Sequence, residues 1–374
     1  IRSRRQRQMC IRDRLDSDDA VDLIAELPEA RQAAVIAQIE DDGRAQDIQE
    51  LLAYDEDSAG GLMAKELVKV NENWTVTKCV REMRTQASEV KRVHSIYVVD
   101  DENKLIGRLS LKDLLTANDK AKVKSVYIPK VDYVSISEQG EEVAKLMAKY
   151  DLEAVPVVDD EKKLLGRITI DDIVDFIKEE ADKDYQLAAG IASDVEADDS
   201  IVELTRARLP WLILGLFGGL GSVFILEGFE QVMQHPSYKT LFFFTPLIAA
   251  MAGNVGVQSS AIIVQGLAND IVKGSLFNRL MKEVGLSLIN GIALSTLLLV
   301  FGYFTGLETS VSLTIALSML CVIVVSALVG TFVPIILDRN NIDPAIATGP
   351  FITTSNDIFG IFLFFYIAKV ILGF

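Results

Sequence analysis

A carboxylate stands where the chain is otherwise apolar enough to cross a membrane. Residues 345–374 exceed the about 20 mostly apolar residues that a transmembrane helix needs, and Asp357 lies near their middle. An ionisable side chain at this depth costs at least ~2.5 kcal/mol, so it usually faces a wet cavity or a partner. Gly349 and Pro350 loosen the helical backbone ahead of it and free carbonyl groups. With no Lys or Arg nearby, this setting predicts a cation site in an ion pathway; the alternative is a buried Asp that is hydrogen-bonded to a neighbouring Ser or Thr.

A second polar segment interrupts an earlier apolar run. Asn254 and Gln258 are polar at membrane depth, and Gly253 and Gly256 allow helical backbones to approach closely. This pattern predicts that Asn254 lines a pore; the alternative is that small and polar residues only hold helices together. Glu283 stands near the start of the next apolar run, where a carboxylate costs little, and is interpreted as a helix cap rather than a transport residue.

The 374-residue chain divides into an acidic half and an apolar half. Residues 201–374 hold 8 of the 37 Lys and Arg and 9 of the 53 Asp and Glu, so the first 200 residues hold 29 basic and 44 acidic groups, a net charge of −15. This distribution predicts a soluble half followed by a membrane half. The acidic half should repel nucleic acid and favour cations.

The sequence lacks the patterns of common enzyme sites. Cys10, Cys79 and Cys321 share no spacing typical of a disulfide framework or a zinc site. His94 and His235 stand alone, and no glycine-rich phosphate loop or nucleophile–base set is present. We therefore expect no enzymatic activity.

Five apolar runs follow the soluble half, each long enough to span a bilayer. They cover residues 209–229, 241–268, 284–304, 313–337 and 345–374. Six basic residues fall on the side shared with the soluble half and two on the other, which predicts a cytoplasmic soluble half and an outside C-terminus in a plasma (inner) membrane. The six are Arg206, Arg208, Lys273, Arg279, Lys282 and Arg339, and the two are Lys239 and Lys369.

The N-terminal region begins with two contrasting segments. Residues 1–14 are basic and lack helical or strand periodicity, so we expect them to be a non-native read-through rather than part of the fold; the alternative is a tail for an anionic surface. Residues 15–57 carry apolar side chains at helical spacing, punctuated by Pro28 and Gly43. They predict short helices, the remnant of a larger helical domain, that lean on a neighbour.

An internal repeat follows, offset by 59 residues. Residues 95–115 and 154–174 each read as a β-branched strand, an acidic turn, a second strand and a helix start. Ser110 and Thr169 are placed to cap those helices, with an Asp at the third helical position. An amphipathic helix precedes each unit, and we expect the two α/β units to pair with each other across residues 58–123 and 124–181.

This repeat resembles the tandem CBS domain. Ser110-x-x-Asp113 and Thr169-x-x-Asp172 match the CBS motif whose Asp commonly holds a ribose. The resemblance implies that the pair binds an adenine nucleotide such as ATP. The alternative is that these residues only cap their helices.

A connector joins the two halves. Residues 182–204 are acidic and partly amphipathic, which predicts a connecting helix that couples the soluble half mechanically to a membrane domain at residues 205–374. The alternative is a solvated linker.

Taken together, residues 15–374 resemble the MgtE family of magnesium channels. The motifs that carry the resemblance are DSAGGLM at 57–63, RLPW at 208–211, GNxGxQ at 253–258, DPA at 343–345 and GPFxTTxxD at 349–357. The resemblance implies a homodimer in the lipid bilayer with three parts: a helical N-terminal remnant, an α/β CBS pair and an all-α membrane domain of five spans.

The resemblance also implies functional residues. The position of the family's pore aspartate, which binds Mg²⁺, is Asp357, with Thr353, Thr354 and Asn254 near it. The family is gated by Mg²⁺ held between acidic soluble domains and the connector. The matching carboxylates are Glu141, Asp151, Asp172, Asp175, Glu180, Asp184 and Asp343. Lys183 stands where an acidic residue is common, which predicts a weaker cluster, and for each carboxylate the alternative is an ordinary solvated surface.

Two other functions fit the sequence less well. One is a divalent-metal transporter coupled to H⁺ or Na⁺, in which Asp357 carries the proton. The other is a non-conducting membrane anchor whose CBS pair senses adenylate. The choice among Mg²⁺, Mn²⁺, Co²⁺ and Ca²⁺ is left open by the residues.

Overall fold

The computed structural model describes residues 15–373 apart from 26, 40, 89, 194, 237, 270 and 273. These residues form two compact units, one up to Glu180 and one from Ala181 onward. The expectations for residues 1–14 and for Cys10 lie outside the described residues.

The first unit opens with three short helices, as predicted. They are α1 (Ser17–Ala25), α2 (Glu29–Ile36) and α3 (Asp42–Leu51). Asp41 caps α3 by accepting hydrogen bonds from the backbone N–H groups of Gly43 and Arg44. Ile24 and Ile48 are fully buried in one apolar core with the second sheet of the unit. These helices therefore lean on a neighbour, which confirms that prediction.

Two three-stranded sheets of the same topology follow. The first repeat contains β1 (Val68–Asn71), α4 (Val76–Gln86), β2 (Ile96–Val99), β3 (Leu105–Leu109) and α5 (Leu111–Thr116). The second contains β4 (Val134–Ser135), α6 (Gly140–Tyr150), β5 (Ala154–Val158), β6 (Leu164–Thr169) and α7 (Ile170–Ala188). In each sheet the first two strands are parallel, because a helix joins them, and the last two are antiparallel.

The two repeats also pair with each other. Asn103 and Lys162 occupy equivalent hairpin positions, and both have a positive φ. The Leu105 N–H donates to the Lys162 carbonyl at 2.8 Å, and the Leu164 N–H donates to the Asn103 carbonyl at 3.0 Å. This reciprocal exchange confirms the predicted repeat and its pairing.

The predicted caps of the two repeats turn out differently. Ser110 stands at the N-cap of α5 but makes no capping side-chain hydrogen bond, so that part of the prediction is wrong. In the second repeat the Asp172 carboxylate accepts hydrogen bonds from the Thr169 N–H at 2.8 Å and the Thr169 hydroxyl at 2.6 Å. The start of α7 is therefore stabilised by the Asp172 carboxylate, which accepts both hydrogen bonds from Thr169.

The connector is helical only in its first part. Helix α7 runs through Ala188 and ends where Gly190 takes a left-handed conformation, φ +80°. The chain is irregular up to Ser200, which forms a capping box with Glu203 and starts the next helix. The prediction of a continuous connecting helix over 182–204 is therefore wrong after Ala188.

Among the described residues, five helices are long and apolar enough to cross a membrane, which confirms the predicted number. They are α8 (Ile201–Gly228), α9 (Thr240–Ala268), α10 (Leu276–Thr305), α11 (Thr309–Arg339) and α12 (Gly349–Leu372). An apolar core that includes Phe364, Phe365 and Val322 holds α12 against α9 and α11. Gly349 and Pro350 begin α12 and do not interrupt it, because Pro is well tolerated in a first turn.

We expect a core substitution in the second repeat to lower local stability. Ile173 of α7 is 1% exposed and Ile177, one turn later, is 50% exposed. Ile173→Ala should destabilise the packing by about 2–5 kcal/mol, because it leaves a cavity, whereas Ile177→Ala should change it little. Amide hydrogen exchange of β5 and β6, followed by mass spectrometry on the full chain, measures the difference. Equal exchange rates in the two variants would contradict this assignment of the core.

Candidate ion pathway and cation-sensing sites

Asp357 lies in the first half of α12 and is half-buried within the membrane unit. It comes close to α9 at Gly253. A Cβ at position 253 would lie 3.4 Å from Asp357 Oδ1 and 3.0 Å from Thr353 Cγ2. Gly253 therefore lets α9 come close to the carboxylate, which brings together two segments that the sequence singled out separately.

Thr353 and Thr354 sit one turn before Asp357 and are half-buried. The Thr353 hydroxyl donates to the Gly349 carbonyl at 2.9 Å, so its oxygen keeps its lone pairs toward other partners. Thr354 faces α8, where a Cβ on Gly218 would lie 1.8 Å from its Cγ2. The expected loosening of the backbone ahead of Asp357 is confined to Gly349, which takes a left-handed conformation at φ +44°, and the helix is regular from Pro350 on.

Asn356 is a residue that the sequence reasoning missed. Its side chain is 0% exposed, and within the described part of the chain neither its Nδ2 nor its Oδ1 has a hydrogen-bond partner. A Cβ on Gly256 would lie 1.7 Å from Asn356 Nδ2, so only glycine fits there. The signal was present in the sequence: a second polar residue next to Asp357, and a glycine one turn from Gly253.

Asn254 and Gln258 are exposed on α9, one turn apart and therefore on one face. They stand beside the segment that packs against Asp357. A polar face at membrane depth is unfavourable against lipid, so this face calls for water or a protein partner.

Glu283 is not the helix cap that the sequence predicted. Helix α10 begins at Leu276, about two turns earlier, so the carboxylate lies inside the helix. The buried Ser259 hydroxyl of α9 donates to Glu283 Oε1 at 2.7 Å. The contact ties α9 to α10.

The first unit holds a buried carboxylate that the sequence analysis did not single out. Asp18, in the first turn of α1, is 8% exposed. Burial, together with the negative charge of Asp172, raises the pKa of Asp18 to about 8. The pKa of Asp172 is likewise raised by burial, against the hydrogen bonds from Thr169. The charge of Asp172 thus acts on Asp18, and among the described residues no basic side chain forms an ion pair with either carboxylate.

Further carboxylates surround this pair. Desolvation of the Asp22 carboxyl, one turn along α1, raises its pKa to about 6, and the negative charges of Glu179 and Glu56 add to the effect. The signal in the sequence was the run of acids that opens α1, although only the fold shows which sheet they meet. A divalent cation placed among these groups would remove their repulsion.

The other predicted sensing residues are not gathered into one cluster. Glu141 is exposed in the first turn of α6, and Asp151 ends that helix in a left-handed conformation. Asp175, Glu180 and Asp184 follow one another along α7, while Asp343 caps a short 3₁₀ turn by accepting from the Ala345 N–H at 2.8 Å. Among the described residues, no three His, Cys, Asp or Glu side chains are arranged to hold a metal ion.

The end of the connector packs against the start of α12. A Cβ on Gly190 would lie 2.4 Å from Pro350 Cγ, and one on Gly349 would lie 2.0 Å from the Ala188 carbonyl oxygen. The Ala192 N–H also donates to the Ala207 carbonyl of α8 at 2.8 Å. The connector therefore touches the helix that carries Asp357, two turns before the carboxylate.

A membrane unit with a carboxylate between closely packed helices, preceded by a CBS pair, is the layout of a membrane transport protein with regulatory domains. Residues 245–367 match the family model described as a divalent cation transporter. Residues 59–120 and 123–179 match the CBS domain, and residues 6–57 match the MgtE intracellular N domain.

Relatives that match most of this chain support the same family assignment. The chain is 36% identical over 326 residues to magnesium transporter MgtE of Enterococcus faecalis, covering 87% of this chain and 71% of that protein. It is 35% identical over 329 residues to MgtE of Thermus thermophilus, covering 87% and 72%. The solved cytosolic domain of the Mg²⁺ channel MgtE in complex with ATP is 38% identical, with a TM-score of 0.41, covering 43% of this chain and 66% of that one.

The chain belongs to the MgtE family of magnesium transporters. It is a multi-pass membrane protein with a cytosolic N-terminal part, and the expectations of Mg²⁺ transport and of a non-enzymatic protein are confirmed.

The raised pKa of Asp18 predicts a pH dependence. Its value is about 8 in the fold against an ordinary 3.8, so the folded unit holds this proton more tightly than the unfolded chain does. In Mg²⁺-free buffer, protonated Asp18 therefore adds to the free energy of unfolding. This contribution is complete below pH 3.8 and is lost as the pH rises to about 8. Thermal unfolding of the full chain at a series of pH values should show this loss, and Asp18→Asn should remove it. Asp42→Asn, an exposed acid on α3, is the matched control and should behave as wild type; an unchanged pH profile in Asp18→Asn would refute the assignment.

Proposed function

We propose that the protein conducts Mg²⁺ as a selective channel of the plasma (inner) membrane, with Asp357 at the centre of the conduction path. The observation that carries this proposal is the position of Asp357, half-buried where α9 and α12 pack closely, on a helix long and apolar enough to cross a membrane. Within the described residues, no basic side chain forms an ion pair with it. An unpaired carboxylate at this depth is stable only beside water or a cation.

The chemistry of Mg²⁺ suits a site built from few protein ligands. The ion demands octahedral oxygen coordination and loses its water reluctantly, so a pore selects it best by holding it with most of its hydration shell. Two Asp357 carboxylates from a homodimer would accept hydrogen bonds from that shell. Thr353 and Thr354, one turn away, and Asn254 on the adjacent helix would extend the polar path.

The homodimer is supported by what the single chain leaves uncovered. Asn254 and Gln258 form a polar face on α9 that lipid would not solvate. Helix α8 exposes large apolar side chains, for example Phe217 at 66%, along most of its length. A second copy that meets the polar face across a water-filled path would satisfy both.

We further propose that Mg²⁺ in the cytosol closes the channel. Burial, together with the charge of Asp172, raises the pKa of Asp18 to about 8, so without a cation this carboxyl keeps its proton at neutral pH. A bound Mg²⁺ would let these groups stay charged at close range and hold α1 on the second repeat. Glu141, Asp151, Asp175, Glu180, Asp184 and Asp343 complete the proposed set of sensing carboxylates.

The connector is the proposed route from sensor to pore. Gly190 and Ala188 lie against Pro350 and Gly349 at the start of α12, so a shift of the connector moves the helix of Asp357 directly. The packing is too tight for a side chain at either glycine.

The proposed domain limits are those predicted from the sequence: 15–57, 58–123, 124–181, 182–204 and 205–374.

The CBS pair is proposed to bind an adenine nucleotide such as ATP in the first repeat. Ser110 makes no capping hydrogen bond, and Asp113 stands one turn inside α5. Both side chains are therefore available to bind a ribose. In the second repeat Thr169 and Asp172 form hydrogen bonds with each other instead.

The proposed topology places the soluble half in the cytoplasm and the C-terminus outside, because of the distribution of basic residues.

Removing the pore carboxylate tests the channel. Asp357→Asn and Asp357→Ala should lower Mg²⁺ flux into proteoliposomes by more than about tenfold, because each hydrogen bond to a charged group contributes about 1.5–3 kcal/mol. Asp338→Asn, at the end of α11, is the matched control and should conduct normally. Rapid uptake by Asp357→Ala would refute the assignment, and uptake that follows a H⁺ or Na⁺ gradient rather than the voltage would indicate a coupled carrier.

Protease resistance tests the sensor. Millimolar Mg²⁺ should slow cleavage of the soluble half in the purified full chain, because bound cations hold its domains together. Asp18→Asn and Asp172→Asn should need more Mg²⁺ for the same protection, whereas Asp42→Asn should not. No protection of the wild type at any Mg²⁺ concentration would exclude the sensor while leaving the pore assignment intact.

A further inference from the structure

A buried amide directly precedes the membrane carboxylate in α12. The Asn356 side chain is 0% exposed, whereas Asp357 is half-buried. Within the described residues, neither Nδ2 nor Oδ1 of Asn356 has a hydrogen-bond partner. An amide buried in this way lowers stability, because it has given up solvent without a replacement. The contribution of Asn356 therefore comes from where its side chain packs and not from a hydrogen bond.

Two glycines of neighbouring helices form the notch that holds this amide. A Cβ at position 256 of α9 would overlap Asn356 Nδ2 and would lie 3.0 Å from its Cγ. A Cβ at position 330 of α11 would in turn overlap the Gly256 carbonyl oxygen. The helices α9, α11 and α12 therefore meet at Gly256, and the Asn356 amide occupies the space that a side chain there would take.

A second notch lies on the other side of α12. A Cβ at position 218 of α8 would overlap Thr354 Cγ2. Successive residues of an α-helix are about 100° apart around its axis, so Asn356 and Thr354 point about 160° apart. Asp357 lies between them, about 100° from Asn356 and about 60° from Thr354. The carboxylate is thus flanked by two side chains that each fit into a glycine notch.

The remaining contacts of α12 are mostly apolar and define its rotation less sharply. Ile352, one turn before Asn356, is fully buried, and Phe364 and Phe365 belong to the core of the membrane unit. The attraction between such side chains is a sum of many weak contacts and changes little when a helix turns by a small angle. A branched side chain in a glycine notch, by contrast, fits at one rotation of its helix.

We propose that Asn356 is a positioning residue, which fixes the rotation of α12 through its fit against Gly256 and so aims the Asp357 carboxylate at the conduction path. This inference rests on the proposed role of Asp357 in Mg²⁺ conduction. Functional groups must be held within about 0.5 Å and 10–20° of their productive geometry. A turn of α12 by a quarter of the angle between successive residues already moves the carboxylate outside that limit.

Mg²⁺ flux into proteoliposomes, measured with the full chain at a series of Mg²⁺ concentrations, tests the proposal. Asn356→Ala should raise the half-saturating Mg²⁺ concentration by about tenfold, because a misdirected Asp357 loses a charge-assisted hydrogen bond to the hydrated ion. The unfolding temperature should change little, since the lost packing is offset by the removal of two unpaired polar atoms. Ile352→Val, on the same buried face, is the matched control and should keep the wild-type half-saturating concentration.

A double variant tests the notch itself. Gly256→Ala places a methyl group where the amide lies and should raise the half-saturating Mg²⁺ concentration at least as much as Asn356→Ala. When both changes are combined, the methyl group enters the space that the amide leaves. The double variant should therefore be closer to wild type than Gly256→Ala is. Gly285→Ala on α10, where a Cβ meets no other atom within 4 Å, is the matched control and should conduct normally.

The half-saturating concentration separates positioning from a general loss of structure. A purely structural defect lowers the maximal flux with the amount of folded protein and leaves the half-saturating concentration unchanged; that result for Asn356→Ala overturns the positioning role. Equal shifts in Gly256→Ala and in the double variant overturn the notch as its cause. Loss of flux in Asp357→Asn together with wild-type behaviour of Asn356→Ala removes only this inference, whereas rapid flux through Asp357→Ala removes the pore proposal.

Discussion

A carboxylate removed from water without a basic partner needs a cation, a proton or a hydrogen-bond network to keep its place. Both units of this protein contain such carboxylates. In the membrane unit Asp357 lies at the close approach of α9 and α12. In the soluble unit Asp18 faces Asp172, and burial raises the pKa of both. A divalent ion is the partner that we propose for both places, and the membership of the chain in a family of magnesium transporters supports that proposal.

Close backbone contacts surround Asp357 within the membrane unit. Gly253 and Gly256 bring α9 onto the face of α12 that carries Asn356 and Asp357. Gly190 brings the connector onto the first turn of the same helix. Packed helices tend to shift between discrete arrangements rather than deform smoothly. The contact of the connector with the start of α12 is the basis of the proposed gating route.

The two CBS repeats share a topology but have diverged in chemistry. In the first repeat Ser110 makes no capping hydrogen bond, whereas in the second Thr169 and Asp172 close on each other. A cavity beside the start of α7 is lined by Lys91, Arg92 and Arg167 and also by Asp16 and Asp171. Equal motifs in a sequence thus need not give equal sites.

Periodicity and composition were enough to predict the five membrane helices and the paired repeat and to single out Asp357, because a span length and a lone charge among apolar residues are properties of a continuous stretch of chain. The connector was predicted only in part, since one left-handed Gly190 ends a pattern that otherwise reads as helix. The role of Glu283, the burial of Asn356 and the meeting of Asp18 with Asp172 came only from the tertiary structure. Each depends on residues far apart in the chain, and the free energy of a charge or an amide is decided by what packs against it in three dimensions, which local sequence does not encode.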